Sequence, residues 1–315
     1  MTNLYARTRF LTLSLIILLV VSLVGCQKAP EGVVAIVNGE EIREEDFDAE
    51  FEIYRETYSR ELGEDALSQV GEDGTSLEDQ IKLITIDTLI VERLILQDAN
   101  EKGIAVTDQD VDERIEELTE ALGGEEELDK FLEDYSLNRD FFTDHIRRAL
   151  ILERHNQEYI DGLDINKDEA REFFETNKEN LIVLRGSHIL LKTEEDARKI
   201  LERLEDGEKF EDLAIEESED SVSALDGGDL GYIIPGSYTG FEEIEDALLE
   251  LEVGSISDLV ETEAGFHIVR LDERKDTFEE LEEDILELLK NQKYRSFVED
   301  LRDDGKIKVY LDINK

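Results

Sequence analysis

The chain has 315 residues, with 83 Asp or Glu against 34 Lys or Arg and a formal charge of −49. That excess of acid excludes a nucleic-acid binder and disfavours adsorption to an anionic bilayer through basic patches. A hydrophobic fraction of 40%, laid out in periodic runs, argues for a folded protein of up to two domains rather than an acidic disordered chain.

In chain order, residues 1–25 read as an export signal. Arg7 and Arg9 precede the uncharged run Leu11 to Val24. At about 14 residues that run falls short of the ~20 a spanning helix needs. It ends in Leu23-Val24-Gly25-Cys26, which resembles the bacterial lipobox, whose cysteine becomes the lipidated first residue of the mature protein. Cys26 is the only cysteine, so no internal disulfide forms. The expectation is a lipid-anchored protein on the extracytoplasmic side of the cell membrane, with 26–32 as its lipidated linker. An uncleaved N-terminal anchor is the alternative. On this reading the surplus acid suits saline or alkaline surroundings, where salt screens self-repulsion.

Residues 33–180 read as a mostly helical domain. Val33 to Val37 is a strand followed by the hairpin signal Asn38-Gly39. Glu44 to Glu61 is an amphipathic helix, and 63–74 reads as loop. Leu77 to Lys102 is the most apolar helix of the body and so its centre. Thr107 with Asp110 marks the next helix start, in a variant of the capping box. Helices over 125–135, 139–160 and 164–179 follow. His145 and His155 lie ten residues apart on one helix and point about 80° away from each other, a poor metal pair. No nucleophile motif, phosphate loop or metal spacing occurs here, and no metal or cofactor is expected.

From residue 181 the pattern changes. Strand over 182–192, helices over 194–205 and 210–217, strand over 230–234, helix over 241–251, and strands over 257–261 and 266–271 give β-α-α-β-α-β-β, an α+β domain with a mainly antiparallel sheet. A long helix over 277–303 and a strand over 306–311 close the chain. One strand cannot stand alone, and its natural partner is the strand at 33–37. The helical domain is then discontinuous, completed by 276–315, with 183–274 inserted in it.

Two of the four histidines, His188 and His267, sit inside apolar strands of this module. Its segments Arg185-Gly186-Ser187-His188-Ile189-Leu190, Phe210-Glu211-Asp212-Leu213-Ala214, Gly227-Gly228-Asp229-Leu230-Gly231, Val253-Gly254 and Gly265-Phe266-His267-Ile268-Val269 resemble the parvulin-type peptidyl-prolyl cis/trans isomerases. With Val37-Asn38-Gly39-Glu40, the helical stretch and the lipobox, the chain is similar to PrsA-type extracellular foldase lipoproteins and, more distantly, to SurA chaperones.

The resemblance implies an α+β fold with a parvulin-like domain at 183–274, catalytic roles for His188 and His267, and a proline pocket of Leu230, Tyr238 and Phe241. Counting back from Gly227-Gly228, the family's usual Asp or Cys is here Ser221, with Asp220 able to substitute if the loop slips by one. Clients are unfolded or partly folded exported proteins, and a homodimer is left open. Two further functions stay open: a holdase chaperone whose isomerase fold is weak or inactive, and a surface scaffold.

Overall fold

The structure is a computed structural model; it describes residues 30–71, 74–135, 137–236, 240 and 242–311. Cys26, Tyr238 and Phe241 lie outside the described residues. The chain divides into two compact units: one holds the residues up to Leu152 together with those from Arg302, the other Glu153–Leu301.

In the first unit, Val33–Val37 (β1) and Glu40–Arg43 (β2) form an antiparallel hairpin. Its turn residues Asn38 and Gly39 have φ of 52° and 94°, the left-handed pair that matches the twist of the flanking strands. The other edge of β1 pairs antiparallel with Ile307–Val309 (β7), Val37 opposite Ile307, so the C-terminal strand belongs to the first unit, whereas the helix expected over 277–303 lies in the second as far as Leu301. The sheet order is β2-β1-β7.

The helices are Glu44–Leu62 (α1), Glu64–Leu67 (α2), Leu77–Lys102 (α3), Asp108–Leu122 (α4), Glu125–Asp134 (α5) and Arg139–Asp161 (α6). Helix α3 starts where Ser76 Oγ accepts the Asp79 N–H and stops at the left-handed Gly103. Thr107 and Asp110 form a complete capping box on α4. The expected loop at 63–74 contains a structured piece, α2, and a bridge between Val70 and Ser76.

Between α1, α3 and α6 lies a largely buried ionic cluster. Arg148 Nη2 donates to Glu50 Oε1 at 3.1 Å, and its Nε makes an ion pair with Glu92 at 2.6 Å, out of line for a hydrogen bond. His145 Nδ1 is 2.9 Å from the same Glu50 oxygen.

In the second unit, Ala170 and Phe174 of Lys167–Asn177 (α7) pack against Phe278, Leu281, Ile285 and Leu289 of Phe278–Asp304 (α11). Between them in sequence come Val183–Leu191 (β3), Glu194–Glu205 (α8), Phe210–Glu217 (α9), Asp229–Ile233 (β4), Glu242–Glu250 (α10), Val260–Thr262 (β5) and Gly265–Lys275 (β6). The sheet order is β4-β3-β6-β5 with every neighbouring pair antiparallel. Ile189, Leu191 and Ile268 on one face bury against Ala197 and Ile200 of α8 and Phe210, Leu213 and Ala214 of α9. Leu184, Val269 and Leu271 bury against Ile244 and Leu248 of α10. Alternation along β3 and β6 thus feeds two apolar layers, which fixes the register.

The strand expected at 257–261 is instead β5 at Val260–Thr262. Only an isolated bridge joins Ile256 to Arg270, and the Ser257 hydroxyl accepts the Val269 N–H in place of a regular ladder bond. Among the described residues no helix is long and apolar enough to cross a membrane.

Candidate functional site

The register of β3 against β6 brings the two histidines together. Leu190 lies opposite His267 and Val269 opposite His188, so the histidines are diagonal neighbours on one face. Their Nδ1 atoms are 3.1 Å apart and both side chains are buried. Gly186, two residues before His188, gives the sheet room to meet α10: a Cβ there would lie 2.7 Å from Leu248.

The far side of His188 is built by the loop between α9 and β4. Ser218 Oγ accepts the Leu190 N–H, and the Glu219 N–H donates to the Leu190 carbonyl, extending the edge of β3 beyond the reach of β4. This stitch sets Asp220 with its Oδ2 2.9 Å from His188 Nε2. Ser223 Oγ donates to the same Asp220 oxygen at 2.6 Å and lies 3.1 Å from His188 Nε2. Below them, the His188 N–H donates to the Gly228 carbonyl. Gly228 has φ +86°, and a Cβ there would stand 2.3 Å from the His188 carbonyl oxygen, so only glycine closes the loop this tightly.

On the other side, His267 Nε2 is 2.9 Å from Thr262 Oγ1, whose oxygen also accepts the Ala264 N–H. One proton per contact completes the chain with His267 neutral. Thr262 donates to His267, His267 Nδ1–H to His188 Nδ1, and His188 Nε2–H to the Asp220 carboxylate.

The electrostatics speak to two members of this chain, His267 and Asp220. Burial, reinforced by the neighbouring His188, lowers His267 to about 4 against a weaker opposing pull from Asp220, so His267 is neutral at pH 7. Burial alone would raise Asp220, but hydrogen bonds from Ser223, His188 and the Val222 N–H outweigh it and hold the carboxyl at about 2. The site is therefore a fixed hydrogen-bonded chain ending in one ionised, partly exposed carboxylate. Such a chain can orient and polarise a bound amide, and it contains no activated nucleophile.

Of the residues expected from sequence, His188 and His267 are joined directly. Ser221 is exposed, and the residue on His188 is Asp220, because the Ser218–Leu190 stitch sets the loop one residue away from the register counted back from Gly227. Leu230 is half-buried against the cluster of Leu184, Ile233, Leu248 and Val269. Tyr238 and Phe241 fall outside the described residues. Sequence reasoning passed over Ser223 and Thr262. Asp-x-x-Ser in a turn is the signal for the first, and the hairpin end beside Gly265 for the second. Among the described residues no group of three or more His, Cys, Asp or Glu could hold a metal ion.

Comparison with known proteins gives a PPIC-type PPIase domain match over residues 188–273 and a SurA-like N-terminal domain match over residues 4–156. The foldase protein PrsA of Halalkalibacterium halodurans is 32% identical over 225 residues, covering 69% of this chain and 66% of that protein. The foldase protein PrsA of Caldanaerobacter subterraneus subsp. tengcongensis is 30% identical over 310 residues, covering 90% of this chain and 94% of that protein. A crystal structure of the peptidylprolyl isomerase PrsA from Bacillus anthracis, 28% identical, aligns over 68% of this chain and 91% of its own with a TM-score of 0.32.

Proposed function

The chain belongs to the PrsA foldase family, and from that premise we propose that its isomerase site is the chain Asp220–His188–His267–Thr262. The protein is a peptidyl-prolyl cis/trans isomerase that assists protein folding. The peptide bond before proline isomerises over a barrier of ~18–20 kcal/mol without any bond being broken. The site's task is to hold the twisted amide better than the planar one. A dry floor of two buried imidazoles, His267 neutral, suits that task, because it offers dipoles held in fixed orientation by hydrogen bonds. Asp220 fixes the tautomer of His188, and Thr262 that of His267. Leu230, with Tyr238 and Phe241, is assigned to the proline ring.

The observation that carries these assignments is the unbroken hydrogen-bond chain inside the matched residues 188–273. The alternative of an inactive holdase draws its support from Ser221, which has no carboxylate. Asp220 supplies one to His188 and speaks against that alternative. The test is an exchange measurement of cis/trans interconversion in an Xaa-Pro peptide with the full chain lacking residues 1–25. The expected result is catalysis that His188→Ala lowers by on the order of 10²-fold, a typical loss for a preorganised hydrogen-bonding group. A His188→Ala variant as fast as the parent would sink the assignment.

Cys26 is proposed as the lipid attachment point that holds the protein on the extracytoplasmic face of the membrane, where its clients are exported chains. Cys26→Ala is expected to release the protein into the medium, read by fractionation.

A further inference from the structure

We infer that Val222 and Leu225 form an apolar client-binding rim on the catalytic loop, selecting Xaa-Pro bonds flanked by apolar rather than acidic residues. This rests on the isomerase reading above and names the substrate class of the same site.

Among the described residues these two are the most exposed large apolar side chains, at 82% and 85%. Their exposure is not the looseness of a mobile loop. The Val222 N–H donates to Asp220 Oδ1, Ala224 N–H to the Asp220 carbonyl, and the Asp226 and Gly228 N–H groups to the Ser223 carbonyl. The residues between them, Ser223 and Ala224, are buried. The loop is thus a stitched turn that directs its polar groups inward onto His188 and its apolar groups outward.

That inverts the usual arrangement. Full burial of a Val or Leu side chain is worth roughly 1.5–3 kcal/mol, stability that the free protein forgoes twice here. Isolated exposed apolar residues are ordinary on any surface. This pair is set apart by position, since Val222 is hydrogen-bonded to the carboxylate that orders His188. A chain whose proline bond lies over His188 passes its neighbouring residues across this turn. The surrounding surface is acidic, with Glu219, Asp220 and Asp226 in the same turn. Lys192, the cation beside it, is taken by Glu219 at 2.8 Å. An acidic client segment would meet like charge with no free cation in that turn, whereas an apolar one covers Val222 and Leu225 and releases their hydration water.

The test uses the full chain lacking residues 1–25 and peptides of the form Xaa-Ala-Pro-Xaa, with both flanking positions Leu, Ala or Glu. Both kcat/KM for isomerisation and Kd by fluorescence anisotropy are measured. The wild-type protein is expected to prefer the Leu peptide over the Ala peptide by about fivefold, with Glu last. In Val222→Ser/Leu225→Ser the Leu-to-Ala ratio falls to about one. The ratio is taken within one preparation, so a change in folded fraction cancels. Equal ratios in wild type and variant, or no Leu preference in the wild type, would overturn the inference. If no peptide is turned over, the isomerase reading fails by itself, and the Kd ratio still decides whether the rim exists.

Discussion

Each of the two units carries a cluster that joins histidine to carboxylate, and the two are built on opposite principles. In the helical unit, Glu50 and Glu92 share the single guanidinium of Arg148, and His145 leans on Glu50. Three charges are taken out of water to pin α1, α3 and α6 together. In the isomerase unit, two histidines lie buried in a sheet core, His267 as a neutral ring, and the one carboxylate, Asp220, remains at the surface end of the chain. The first arrangement depends on charge balance and the second on proton placement. Buried charge fixes helices in place, whereas oriented dipoles present a client with a polar floor.

The largest effect that separates the clusters comes from removing the shared cation. Arg148→Met leaves two carboxylates facing each other out of water, and burial already raises the pKa of Glu92. The expected loss is about 3–5 kcal/mol of stability in the helical unit, read by urea unfolding, with the isomerase rate of the folded protein unchanged. A loss of rate without a loss of stability would break the comparison.

Acid is the next lever, and the two clusters respond with opposite sign. His267 titrates near 6.5 when unfolded and at about 4 when folded. Between those values the unfolded chain binds the extra proton, so this contribution falls as pH drops from about 6.5 to 4, by about 3 kcal/mol in full. Asp220 does not interfere there, because its contribution is lost only between 3.8 and about 2. Glu92 has a raised folded pKa, chiefly from burial with Arg148 opposing, so protonation stabilises its unit as pH falls. Hydrogen exchange at pH 7 and pH 4.5 should show amides of 183–275 losing protection relative to those of 77–102. Equal changes in both regions would argue against a neutral His267.

The smallest effect sharpens the site itself. Asp220→Ala removes the acceptor from His188 and should lower kcat/KM about tenfold, the worth of one charged hydrogen bond. Ser221→Ala at an exposed position should leave it within about twofold. The reverse ranking would restore Ser221 as the third residue of the site.

That last pair marks where the sequence stops being legible. The strands bearing His188 and His267 can be read from alternation, and their meeting follows once β3 and β6 pair antiparallel with the apolar faces inward. The pairing of the first and last strands can be read because strands at 33–37 and 306–311 each lack a nearby partner; the expected bounds cannot, because α7 and α11 pack on each other in the second unit. The choice between Asp220 and Ser221 cannot, because it depends on a hydrogen bond from the backbone of Leu190 to Ser218, a tertiary contact with no periodic trace. Thr262 was hidden for a similar reason: the strand before the hairpin reads as 257–261, yet a side chain of Ser257 interrupts the ladder and moves its regular part to Val260–Thr262.

The pairing of β1 with β7 also imposes an order of events on a chain that folds as it emerges from its N-terminus. The strand at Val33–Val37 emerges first and must wait for Ile307–Val309, roughly 270 residues later. The contiguous domain between them has no such delay, and its own ends are partners, Val183 opposite Lys275. Once it has formed, some ninety residues count as almost no span, and the remaining closure is shorter and entropically cheaper. A chain that has emerged as far as residue 290 would therefore possess a complete β3–β6 sheet and an unpaired β1. The folding helper thus matures from the middle outward, its active module being the first part of the molecule to become its own finished product.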